Sequence, residues 1–312
     1  MRENGLAFDQ EQDDITPFTT ANYLENAVSE TGYLPDKKTP RQPDSRSRAT
    51  ELLSDACAPD SDRSPYLVQR LIETKERNLF NHVKFNLVKR EIDKLGLSKP
   101  RIADIGCGLQ VAHTYLSSLD LKCDYFGIDY EPNFHPDAVV DLLDIKGSNL
   151  EFPWSPDVLL MLDVLEHLHE DERALQEIVH SLSTLAPSGS TMIFTLPQMY
   201  RLDRFKLQHL HYPEHKIRLT QREWTHLIGK HFTIRSVSGF GFLSVIPYLP
   251  MASKRYTPDN KLGKLFNYLR GKFFEYPAFK PTDLVLSKAL GQIPLINGLA
   301  NDIMIIATPK RA

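Results

Sequence analysis

From Arg101 onward the chain alternates short apolar runs with stretches of helical spacing, and this alternation restricts its fold more than any other feature. The runs are Arg101 to Ile105, Tyr125 to Ile128, Ala138 to Val140, Val158 to Leu162, Met192 to Leu196 and Phe232 to Val237. Strands that are apolar throughout are covered on both faces, and strands separated by helices lie mostly parallel. After the fourth run Leu175, Ile178, Val179, Leu182 and Leu185 share one helical face before Pro187 and Gly189 end it. A further helix begins at Thr220, whose spacing to Glu223 makes a capping box. Asp302 to Ala307 is one more strand candidate, remote from the others in sequence and expected beside the Phe232 strand. Ahead of the first strand, apolar residues from Leu67 to Ile92 recur at the intervals of an amphipathic helix or helix pair, which Gly96 stops.

This pattern divides the chain. Residues 1–65 are polar and interrupted by Pro17, Pro35, Pro40, Pro43 and Pro59, the composition of an unstructured tail, with one short helix candidate at Ala21 to Ser29. Residues 66–243 form the expected core, 244–300 an insertion and 301–312 the last core strand. The insertion is far longer than a hairpin loop requires. Within it Leu262, Leu265, Phe266, Leu269 and Phe273 share a helical face, Lys261, Lys264, Arg270 and Lys272 supply positive charge, and Phe274 and Tyr276 add aromatic surface. Such a segment packs on the domain, covers a ligand pocket as a greasy lid, or lies on an anionic membrane surface.

Composition sets outer limits. A chain of 312 residues, 41% hydrophobic, holds one ordinary domain with additions. With 37 Lys and Arg against 40 Asp and Glu it has no whole-chain basic field, which excludes bulk coating of nucleic acid. Cys57, Cys107 and Cys123 lack the number and spacing of a disulfide or zinc framework, so a reducing compartment fits. Met1 to Asp14 is polar and acidic where a secretory signal is basic and apolar, and the expected location is cytoplasmic, with peripheral membrane contact through 261–276 as the variant.

The chemistry concentrates at the strand ends. Arg101-Ile-Ala-Asp-Ile-Gly-Cys-Gly108 is a strand running into a turn whose two glycines let backbone approach a ligand, with a helix N-terminus following. A dinucleotide fingerprint requires a third glycine where this chain has Val111, which counts against a nicotinamide ligand. The second run ends in Asp129, about twenty residues on, where a carboxylate can accept both ribose hydroxyls. The third ends in Asp141-Leu142, placed to meet an adenine amino group, a role for which Asp144 competes. Ligands of open parallel sheets collect at successive strand ends of this kind.

Taken together these residues resemble the class I S-adenosylmethionine-dependent methyltransferases, with a narrower likeness to ubiquinone-pathway O-methyltransferases. Asp104-Ile-Gly106-Cys-Gly108, Gly127-Ile-Asp129, Val140-Asp141-Leu142, Asp157 to Leu168 and Leu185 to Pro197 are similar, in order, to five motifs of that family. The resemblance implies a doubly wound α/β fold with a seven-stranded, mostly parallel sheet, and S-adenosyl-L-methionine as cofactor. It implies that Asp104, Gly106 and Gly108 hold the amino-acid end of the cofactor. Asp129, with Tyr130 beside it, takes the ribose; Asp141 and Leu142 take the adenine, and Leu162 closes the fourth strand. The chain departs from the family at Gln110, where a third glycine is common.

Methyl transfer from a sulfonium needs alignment and, for a hydroxyl acceptor, a base. The base candidates are His215, before the capped helix, and His167, preceded by Glu166. Asp163, Glu166 and His167, with His215 as a further candidate, also raise a metal question, since the acid-x-x-Glu-His run looks like the magnesium-binding run of some family members; the first of those positions is usually Glu there, and no metal is expected. The leading expectation is a methyltransferase acting on a small-molecule or lipid-like acceptor, through oxygen. The alternatives are a nucleic-acid or protein methyltransferase and a non-catalytic cofactor-binding protein; the acidic balance counts against nucleic acid.

Overall fold

The computed structural model describes residues 75–148, 150–198, 215–244, 246 and 261–310, all within one compact unit. The expected tail over 1–65, the helix candidate at Ala21 to Ser29 and the leading stripe before Lys75 lie outside the described residues.

In chain order the elements are α1 (Lys75–Asp93), β1 (Arg101–Ile105), α2 (Val111–Ser118), β2 (Asp124–Asp129), β3 (Ala138–Val139), β4 (Val158–Leu162) and α3 (Leu165–Leu168). There follow α4 (Glu172–Leu185), β5 (Thr191–Pro197), α5 (Gln221–Gly229), β6 (Phe232–Phe240), α6 (Lys261–Glu275), α7 (Phe279–Leu290) and β7 (Asp302–Pro309). All seven expected strands are present, in one sheet of order β3-β2-β1-β4-β5-β7-β6. From β3 across to β5 every pairing is parallel, and β7 runs antiparallel to both β5 and β6. The chain winds outward from β1 to β3 and then returns to β4. Between β1 and β4 lies the switch point at which doubly wound sheets form their ligand crevice.

Apolar runs form the sheet's middle because alternate residues face opposite layers and both layers are dry. Leu159 and Met161 of β4 enter one core with Met192 and Phe194, whereas Val158 and Leu160 enter the other with Ile193. Helices α4 and α5 close the first core through Leu175, Leu182, Trp224 and Ile228. Helices α1 and α2 close the second through Val83, Leu87, Val88 and Leu116. Trp224 is fully buried, and its indole N–H donates to the Pro197 carbonyl at 3.0 Å, so the one polar tip of that ring is satisfied. The capping box forms: the Thr220 hydroxyl accepts from the Glu223 amide at 3.4 Å and the Glu223 carboxylate accepts from the Thr220 amide at 2.7 Å.

Both insertion helices, α6 and α7, pack against α1. Where the end of α7 meets β6, the Gly239 amide donates to the Gly291 carbonyl at 2.8 Å. A Cβ on Gly239 would stand 2.5 Å from the Asn297 carbonyl oxygen, so this approach requires glycine.

Candidate functional site

The glycine turn after β1 is clamped onto the end of β2 by main-chain bonds. The amides of Gly106 and Cys107 both donate to the Ile128 carbonyl, at 2.8 and 2.9 Å. Gly106 has φ +77, and a Cβ there would lie 2.6 Å from Cγ2 of Val164, so the turn touches the segment that follows β4. Gly108 has φ +52, and a Cβ added to it would meet nothing within 4 Å, which leaves the outer side of the turn open to a ligand. Gln110 also takes the left-handed conformation, φ 56, at the N-cap of α2. Its Nε2 donates to the His135 carbonyl at 3.2 Å, so the backbone shape a third glycine would favour is present without the glycine.

The acids differ in what they already hold. Asp129 is 6% exposed; its Oδ2 accepts from the Gly108 amide at 2.8 Å and its Oδ1 from the Glu131 amide at 3.0 Å. Burial raises its pKa, while the amides of Glu131, Gly108 and Tyr130 oppose the rise. Each carboxylate oxygen has a second lone pair, so both ribose hydroxyls can still be accepted. Asp104 lies inside the protein, its Oδ2 accepting from the Tyr125 hydroxyl at 2.5 Å, and it ties β1 to β2. Burial pushes its pKa up to about 6, against the lowering effect of that hydroxyl. Asp141 is exposed and caps the turn Leu142–Asp144, its Oδ1 accepting from the Leu143 amide at 2.9 Å, with Leu142 buried beneath it and Asp144 exposed. Tyr130 is 56% exposed and Leu162 partly buried. All these residues stand on or just past the carboxyl ends of β1 to β4, which the sheet order places side by side.

The two histidines meet on one carboxylate. Glu166, on the short helix α3, is fully buried, and its Oε1 lies 3.8 Å from Nε2 of His167 and 3.9 Å from Nε2 of His215. These are ion-pair distances for a protonated imidazole, longer than a hydrogen bond. The rings stand edge to face with centroids 4.8 Å apart. His215 reaches α3 because the amides of Lys216 and Ile217 both donate to the Glu166 carbonyl, at 2.8 and 3.3 Å. One ligand atom from each of Glu166, His167 and His215 lies within 4.8 Å of the others, a donor set able to hold a metal ion. Asp163 is bound elsewhere: its Oδ2 accepts from Nζ of Lys84 at 2.7 Å and its Oδ1 from the Thr195 hydroxyl at 2.6 Å.

That second network escaped the motif reading. Lys84 sits on α1 between buried Val83 and Phe85, Thr195 lies within an apolar strand, and Asp302 opens another. Burial and then the Asp163 charge drive the Asp302 pKa well up, with Lys84 opposing. The available signal was a lysine flanked by two buried apolar residues and a polar side chain in each of two mostly apolar strands.

The fold and this edge define a doubly wound α/β protein with a nucleoside-cofactor cradle at its switch point. Residues 103–189 match the model of a methyltransferase domain. An uncharacterized protein of Synechococcus sp. is 27% identical over 124 residues, covering 36% of this chain and only 29% of that relative. Similar solved structures include a SAM-dependent methyltransferase from Archaeoglobus fulgidus, 15% identical with TM-score 0.39 over 72% of this chain and 93% of that one. A plantazolicin methyltransferase in complex with a desmethyl plantazolicin analog and S-adenosylhomocysteine is 14% identical, TM-score 0.44, over 85% and 97% of the two chains. Residues 103–189, from β1 to the turn before β5, are thus a methyltransferase domain. The cofactor of that family is S-adenosyl-L-methionine.

Proposed function

We propose that this chain transfers the methyl group of S-adenosyl-L-methionine to the oxygen of a small-molecule or lipid-like acceptor. When bound, the cofactor supplies an activated methyl group on a sulfonium. The observation that carries the reading is the contact of Gly106 with Val164, two residues before Glu166, which sets the cofactor cradle against the Glu166–His167–His215 cluster. Asp129, through its spare lone pairs, orients the ribose, and the open face of Gly108 admits the amino-acid end. With the cofactor bound, His215 would take the acceptor's hydroxyl proton as the acceptor oxygen bonds to the methyl carbon and the carbon–sulfur bond breaks, its electron pair leaving with sulfur, and Glu166 would stabilise the resulting imidazolium. His167 shares that carboxylate and holds the second ring in place.

Oxygen is favoured because the cluster offers a base, which a neutral amine acceptor needs less. A lipid-like acceptor is supported by the exposed leucines of α6. The test begins with calorimetric titration by S-adenosylmethionine and by NAD, followed by a screen of hydroxyl acceptors. His215→Ala is expected to lower turnover about a hundredfold or more while sparing cofactor affinity; normal turnover would dismiss it as the base.

A second reading is favoured by the ligand-atom geometry alone: a carboxylate with two imidazoles is a donor set of divalent first-row metals. Chelator treatment separates the two, since the base reading expects turnover to survive it.

A further inference from the structure

Nine of the fifteen exposed large apolar side chains among the described residues lie between Leu262 and Leu299, in and just after the two insertion helices. Single exposed leucines are ordinary, but concentration in one segment marks an interaction surface. On α6, Leu262, Leu265 and Leu269 are 46%, 50% and 50% exposed. At about 100° per residue they occupy one sector roughly 60° wide. Lys261 and Lys272 border that sector, and Gly263, which is buried, lies across the helix from it. The stripe therefore points away from the domain, inverting the usual arrangement in which a helix turns its apolar face inward. Leu295, past α7, is 90% exposed and held at φ 72, a left-handed conformation that leucine rarely adopts.

Charge completes the pattern. Between Lys261 and Leu299 the described side chains include five exposed lysines, at 261, 264, 272, 280 and 288, and no exposed carboxylate. Asp283 is buried and accepts from the Leu243 amide. A chain of net charge −3 thus sets two exposed lysines, Lys261 and Lys272, at the border of its main exposed apolar stripe and three more on the same pair of helices, against one carboxylate, Glu275, at the end of α6. A phosphate backbone would use the lysines and leave the leucines in water, whereas the interface of an anionic bilayer uses both. Among the described residues no helix is long and apolar enough to cross a membrane, so the contact is with its surface.

We infer that α6 docks this protein on an anionic lipid surface, its leucines entering the headgroup boundary and its lysines facing the lipid phosphates. The inference deepens the lipid-like acceptor reading by naming the surface on which that acceptor is met. Vesicle binding needs neither cofactor nor turnover, so the two fail separately.

The test is flotation of the full chain with vesicles of phosphatidylcholine alone and of phosphatidylcholine with phosphatidylserine. Binding is expected to the anionic vesicles and to fall as salt is added. Leu265→Ser with Leu269→Ser, and separately Lys264→Gln with Lys272→Gln, are each expected to weaken the partition on the order of tenfold with circular dichroism and cofactor affinity unchanged. Equal binding to both vesicle types, or full binding by both double variants, would overturn it. So would concentration-dependent self-association, or binding of an RNA oligomer, that the leucine pair abolishes while vesicles are ignored.

Discussion

Asp129 gives the sharpest test because its carboxylate is asked to do two jobs. In the structure it accepts the Gly108 amide at 2.8 Å and the Glu131 amide at 3.0 Å from a site only 6% exposed. In the proposed complex the same two oxygens also accept the ribose hydroxyls. A hydrogen bond to a charged group contributes about 1.5–3 kcal/mol. Asp129→Ala removes two such bonds to the cofactor, or about 3–6 kcal/mol, so affinity is expected to fall at least about a hundredfold. It also strands two backbone amides, so thermal stability drops as well. Asp129→Asn keeps the shape and one carbonyl acceptor, but its NH₂ now faces an amide donor. Loss of one charged bond predicts S-adenosylmethionine binding weaker by about tenfold to a hundredfold. Calorimetric titration measures the affinity and a thermal melt the stability, on the same protein. A lower melting temperature with unchanged affinity in the Asn variant would refute the ribose assignment and leave Asp129 as a clasp between the glycine turn and β2.

Two further predictions follow from buried charge. Asp104 has its folded pKa raised by burial to about 6 from its ordinary value of 3.8, so the folded state binds this proton more tightly than the unfolded state. Its contribution to stability is therefore fully present below the unfolded value and is lost as pH rises through about 6, a change on the order of 3 kcal/mol. Asp104→Asn should flatten that slope in urea unfolding curves taken on either side of this window; an unaltered slope would assign it to other groups. Lys84→Met leaves Asp163 without its 2.7 Å cation beside buried Asp302. Because Asp163 is one-third exposed, the expected loss is about 2 kcal/mol rather than the larger cost of a fully buried pair. Lys84→Met combined with Asp163→Asn should recover part of it, and equal loss in both variants would show that the ion pair is not the cause.

Which parts of this molecule were legible in its sequence follows from the range of the interactions. The strands were readable because a sheet dry on both faces demands unbroken apolar runs, and Val158 to Leu162 has the same bounds in the structure. The partnership of β7 with β6 was expected too, although some sixty residues separate them, but its insertion between β5 and β6, antiparallel to both, was not legible because no local pattern records strand direction. Helix caps are local chemistry, and Thr220 with Glu223 formed as expected. Gln110 shows where residue identity misleads: the turn needs a left-handed backbone, and glutamine supplies it at an energetic cost instead of changing the turn. The cradle is legible for the same local reason, since each strand end and its following turn occupy a few consecutive residues.

The acceptor side has no such locality. Glu166 and His215 are far apart in sequence and meet only because two amides, at Lys216 and Ile217, dock on one carbonyl of α3. No periodicity encodes that meeting, and the acid-x-x-Glu-His run brought Asp163 into the same group as Glu166 and the histidines. The structure divides that run instead. Asp163, in a left-handed conformation at φ 57, turns to Lys84 and Thr195, while Glu166 turns to the histidines. The two carboxylates therefore answer to different partners, one bracing α1 against the sheet and the other facing the two histidines. A substitution at Asp163 should consequently be felt first in stability and a substitution at Glu166 first in turnover, even though the two residues lie within one turn of chain of each other.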